Sequence, residues 1–86
     1  MIIRLTSYEI ATFNKLPVGE SHDCVFYDDE SGETFLVELD KREGETAYDF
    51  ADRCAKIAFQ NFDESTLVFD NMVTCETAEI LGYDTY

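Results

Sequence analysis

At 86 residues the chain is sized for one domain, and a domain this short buries only a little over ~60% of its unfolded surface. Seven Phe and five Tyr supply the large side chains that so small a core needs, and 45% hydrophobic content in periodic runs excludes disorder. Nineteen acids against six bases give a formal net charge of −13, which makes nucleic acid and anionic membranes poor partners and a basic protein surface a good one.

Met1 to Leu5 reads as a short buried strand and is too short for a signal-peptide core. No apolar run approaches the ~18 residues of a membrane span, so a soluble, cytoplasmic protein is expected. Thr6 and Glu9 form a capping box, and Tyr8, Ile10, Ala11 and Phe13 fit a short helix ending near Lys15. Pro17 and Gly19 close it. The same residues tolerate extended structure, so a second strand is the rival reading.

Asp23 to Tyr27 and Glu33 to Leu39 form the clearest hairpin, joined by the polar loop from Asp28 to Gly32. Alternation places Phe35, Val37 and Leu39 toward a core helix. That helix is predicted over Glu45 to Phe62, with Thr46 as N-cap and Asp49 three residues on. Ala47, Phe50, Ala51, Cys54, Ile57, Ala58 and Phe62 recur at helical spacing. Asp49 to Arg53 and Asp52 to Lys56 are acid-first i,i+4 pairs on its outer side. Asp63 and Glu64 turn the chain into a strand from Thr66 to Phe69. Thr74 caps a last short helix that Gly82 stops, leaving Tyr83 to Tyr86 as a tail.

The expected class is α+β: a small antiparallel sheet covered by one long helix, with an order that matches the ferredoxin-like βαββαβ arrangement. If residues 7–15 are not helical, a meander with one helix across it remains.

Chemistry is sparsely supplied. His22 and Cys24 share a strand face, but their ~6.6 Å separation is long for a nucleophile–base bond. Zinc needs close pairs of ligands, and His22, Cys24, Cys54 and Cys75 offer none beyond His22 and Cys24. The three cysteines read as free thiols of a reducing compartment. Asp28, Glu30 and Gly32 only faintly echo a calcium loop. There is no Gly-rich phosphate loop, no nucleophile elbow and no basic patch with aromatics. No catalytic residue, metal or cofactor is expected.

The acids are unevenly spread. Leu16 to Asp40 holds eight acids and no Lys or Arg, and Ile57 to Tyr86 holds six and again none. Such acids form faces. Duplex DNA presents a phosphate per ~3.4 Å on each strand. Carboxylates alternate at ~6.6 Å on a strand and lie ~5–6 Å apart on a helix face. The first candidate docking surface is the hairpin tip, Asp28, Asp29, Glu30 and Glu33, extended by Glu38 and Asp40. The second is Glu76, Glu79 and Asp84. Tyr27, with Tyr48, Tyr83 and Tyr86, is a candidate aromatic anchor.

A short, strongly acidic chain with free cysteines and no catalytic kit resembles in type the small inhibitors encoded by phages and mobile elements. These include nucleic-acid mimics that block restriction or CRISPR effectors. The resemblance implies a non-enzymatic protein that binds a basic nucleic-acid-binding protein. Three alternatives remain: a homodimeric regulatory or structural interaction protein joined through a sheet edge or the aromatic tail, acidity for solubility, and adaptation to salt.

Overall fold

The strand Ser21–Asp28 (β1) is the middle of the molecule, and the other strands are laid against it in a computed structural model that describes residues 1–86. Thr34–Asp40 (β2) pairs with it antiparallel, from Ser21 opposite Asp40 to Tyr27 opposite Thr34. Leu67–Thr74 (β3) pairs antiparallel on the other side, with a bulge at Val25/Phe26 that leaves Asp70 without a partner on β1. Asp84–Thr85 (β4) adds a short parallel strand beside β2, so the four-stranded order is β3-β1-β2-β4.

The helices are Ser7–Lys15 (α1), Ala47–Ala58 (α2) and Cys75–Leu81 (α3). Both predicted capping boxes form. The Thr6 hydroxyl accepts from Glu9 N and the Thr46 hydroxyl from Asp49 N, each at 3.1 Å. Residues 7–15 are therefore helical, and the meander reading falls away.

The two sheet faces are covered differently. On one, α1 and α2 pack over Cys24, Phe26, Phe35, Val37, Phe69 and Met72, as the alternation on β2 requires. Ala51, Cys54, Ala55 and Ala58 are buried, and their small size lets α2 approach until the Cys54 thiol lies 3.9 Å from the Val37 carbonyl. On the other face a smaller apolar cluster joins Val25, Leu36 and Ala78, flanked by Val73. Thr74 caps α3 through Thr77 N, and Gly82 ends it in the left-handed conformation at φ 67°.

Several expectations change. The third strand runs to Thr74 and does not stop at Phe69, and the expected tail contributes β4, whose parallel pairing makes the sheet mixed where an antiparallel one was expected. Met1 to Leu5 forms no strand; Ile3 and Leu5 pack half-buried against the core, and Leu5 N donates to the Tyr48 hydroxyl. The ferredoxin-like order is replaced by αββαβαβ, with β1 holding the centre. The long helix is also shorter than its periodic pattern. Its cap at Thr46 excludes Glu45, and i→i−3 bonds from Gln60 and Asn61 tighten its end. That tightening lets Phe62 stack on Phe35 with ring centroids 4.2 Å apart. No helix is long and apolar enough to cross a membrane.

Candidate partner-binding face

Charge is partitioned between the layers. Arg4 precedes α1, Lys15 ends it, Lys41 and Arg42 join β2 to α2, and Arg53 and Lys56 lie on α2. No strand carries a Lys or Arg, and neither do α3 and the residues after it. The ion pairs, Arg53–Glu45 at 2.7 Å and Lys56–Asp52 at 3.2 Å, are both on the α2 side. The expected Asp49–Arg53 pair does not form, because the Asp49 carboxylate accepts from Thr46 N in the cap. Arg53 reaches back to Glu45 instead, and its guanidinium also donates to the Asp40 carbonyl. Burial, the largest single influence, opposes ionisation of Glu45, but hydrogen bonds from Arg53 and from Arg42 N, together with the two arginine charges, outweigh it and hold the carboxyl below its usual value. Lys41 is engaged with backbone, donating to the Phe13 and Leu16 carbonyls at the end of α1.

The predicted docking residues divide into three groups. Asp28 is a correction: it is 6% exposed, and its carboxylate accepts from the Thr66 hydroxyl at 2.6 Å and from Ser31 N at 3.2 Å. Those bonds hold its pKa below the usual range. Asp28 builds the hairpin loop and is not a free charge on it. Asp29 and Glu30 are exposed at the tip. Glu33 is half-buried and accepts from the Tyr86 hydroxyl, which raises the Tyr86 pKa.

The second group gathers on the α3 side of the sheet. Glu38 and Glu79 line one cavity of about 190 Å³, together with Asp23, Cys75 and Tyr83. Exposed Asp84 stands on the β4 edge. Sequence reasoning assigned Glu38 to one surface and Glu79 to another; the fold makes them neighbours. The third group lies around this centre. Exposed Asp40 accepts from the Ser21 hydroxyl, and Glu76 lines a separate hollow with Glu20.

The tyrosines also separate. Tyr27 and Tyr83 remain exposed, and Tyr48 is exposed while bonding Leu5 N. Tyr86 packs edge-on against Phe35 and Phe62, so its ring finishes the core. An interface built on the free tail loses that anchor.

Sequence reasoning missed Asp23 among the strand acids. It is fully buried on the α3 side, opposite Glu38 in the register, and neither carboxylate oxygen has a hydrogen-bond partner. Burial first, and the Glu38 charge second, push its pKa up to about 6. The Cys75 thiol donates to the Ser21 carbonyl at 3.1 Å, and burial beside Asp23 pushes it up to about 12. The signal in the sequence was an acid inside a β-forming run, two residues before Val25 on the same face. On the opposite face His22 is buried against Phe13 and Phe50. Burial, then the Lys41 charge, lower its pKa.

No family model matches the chain, and comparisons with curated proteins and with solved structures likewise found no match.

Proposed function

We propose that this protein is a non-enzymatic inhibitor that docks its α3 face on a basic, nucleic-acid-binding surface of another protein. In this reading it is a nucleic-acid mimic of the anti-restriction or anti-CRISPR type, encoded by a phage or mobile element and acting in the cytoplasm. The observation that carries the reading is the partition of charge. Every Lys and Arg lies in the N-terminal segment, α1, α2 or the β2–α2 connection, while no strand, nor α3 or the residues after it, carries one; of the Lys and Arg residues only Arg4 shares a cavity with α3, at Thr77, away from Glu38, Glu79 and Asp84. Uncompensated charge of one sign steers a partner of the other. Glu38, Glu79 and Asp84 form the centre of the surface, Asp29 and Glu30 its arm, and Tyr27 and Tyr83 its aromatic flank.

The test separates a face from mere net charge. A partner is captured from host lysate on the immobilised protein and identified, and its affinity is measured against two double variants. Glu38→Gln with Glu79→Gln removes two charges from the α3 face; Glu43→Gln with Asp52→Asn removes two from the α2 side. The first pair should weaken binding by about 1.5 kcal/mol or more for each carboxylate that meets a partner cation at close range, and the second by much less. Equal effects would mean that net charge alone acts, and the docking face would be withdrawn.

A further inference from the structure

One cluster on the α3 side shares Glu38 with the docking surface but adds two groups that docking does not use, Asp23 and Cys75. Asp23, Glu38 and Cys75 come from β1, β2 and the first turn of α3, and one ligand atom from each lies within 4.8 Å of the other two. The Cys75 sulfur and a Glu38 oxygen are 3.8 Å apart. In a tetrahedral zinc site, bond lengths of ~2.0–2.3 Å put neighbouring ligand atoms about 3.3–3.8 Å apart. The sulfur–oxygen separation already stands at the upper end of that range, and the other separations exceed it by no more than about 1.5 Å. Convergent acids alone would not identify a site. The independent observation is Asp23: it is 0% exposed, lines the cavity, and holds two carboxylate oxygens with no hydrogen-bond partner. A buried carboxylate in that state costs free energy unless something positive meets it. No lysine or arginine lies on the elements that form the cavity.

We propose that Asp23, Glu38 and Cys75 form a three-donor site for Zn²⁺ that clamps the start of α3 to the sheet. The donor set favours this ion. A thiolate disfavours Mg²⁺ and Ca²⁺, which take six or more oxygen ligands, whereas carboxylate and thiolate together suit zinc. Three protein ligands leave a fourth position facing the cavity, where water binds and Glu79 lines the wall. Binding converts the Cys75 thiol to thiolate, its proton passes to solvent, and the bond to the Ser21 carbonyl is replaced by the metal–sulfur bond. The proposal is independent of the docking reading, because it concerns the purified protein alone.

Cobalt(II) titrated into chelator-treated protein is the probe. One equivalent should give a thiolate-to-cobalt charge-transfer band and the intense visible absorption of a tetrahedral centre, both abolished by added Zn²⁺. Cys75→Ser should lose the charge-transfer band even though Cys24 and Cys54 remain. Asp23→Asn and Glu38→Gln should each weaken Zn²⁺ binding, read by competition with a chromophoric chelator, at least about tenfold, the least that follows from losing a group that only supports a ligand. Glu38 is exposed, so its variant tests the site even if changes at Asp23 disturb folding. Zn²⁺ should also raise the melting temperature of wild type and not that of Cys75→Ser. A weak octahedral spectrum, or equal Zn²⁺ affinity in wild type and Cys75→Ser, would mean that zinc binds only diffusely to the acidic surface, and the site would be withdrawn.

Discussion

His22 and Asp23 are neighbours on β1, and their side chains show how differently the two sheet faces are built. His22 enters an aromatic layer beneath α1 and α2, where burial and then the Lys41 charge lower its pKa. Asp23 enters the α3 side, where three apolar side chains form the core cluster and the cavity beside them adds the acids Glu38 and Glu79 and no base. The first face holds the molecule together. The second concentrates uncompensated charge above a thin apolar floor. A domain this short has enough large side chains for one thick core, and they stand almost wholly on one face.

The largest expected effect breaks the thick face. Phe35 is fully buried between Phe26 and Phe62, so Phe35→Ala should cost about 3–5 kcal/mol in a denaturant titration. A loss below about 1 kcal/mol, on the scale of an ordinary surface change, would show that this layer is not the core. Next comes Asp23→Asn. Asn keeps the buried polar group but removes the charge that Asp23 carries beside Glu38 at neutral pH, so it should stabilise the metal-free protein by roughly 1 kcal/mol, the scale of a shift of about one pKa unit. Destabilisation there would mean that Asp23 holds the fold together.

The pH dependence should separate the same two residues. Asp23 has a raised folded pKa, so its contribution is fully present below the ordinary carboxyl value of 3.8 and is lost as pH rises to about 6. Glu38 from β2 and Cys75 and Glu79 from α3 face it, and none supplies a positive charge. His22 has a lowered folded pKa, so its contribution is present above 6.5 and is lost as pH falls through the folded value. In metal-free Asp23→Asn only the second trend should remain, so melting temperature should fall on acidification below 6.5 more steeply than in wild type. Parallel curves for the two proteins would remove the assignment. The smallest effect is expected from Glu76→Gln with Glu79→Gln, both exposed, which should shift stability by no more than about 0.5 kcal/mol each.

What the sequence reveals follows the range of the interactions. The caps at Thr6 and Thr46 join residues three apart, so local spacing identifies them. The β2 alternation assigns its faces because period two permits no compromise. Asp28 misleads because its strongest partner, Thr66, is distant in the chain and nothing near Asp28 announces it. Arg53 misleads because two roles compete for Asp49 and the cap prevails. The cavity is invisible for the same reason as the Asp28 bond: Asp23, Glu38 and Cys75 meet only after β1, β2 and α3 assemble. The uneven placement of the bases is plain in the sequence, and folding turns it into a difference between layers.

The most direct measurement of that difference in use is competition. The captured partner is loaded with its own nucleic acid and titrated with this protein at low and then raised ionic strength. If the α3 face stands in for a phosphate backbone, nucleic acid leaves in proportion to the protein bound, and the competition weakens steeply with salt. A ternary complex, with nucleic acid and this protein both held at full affinity, would contradict it.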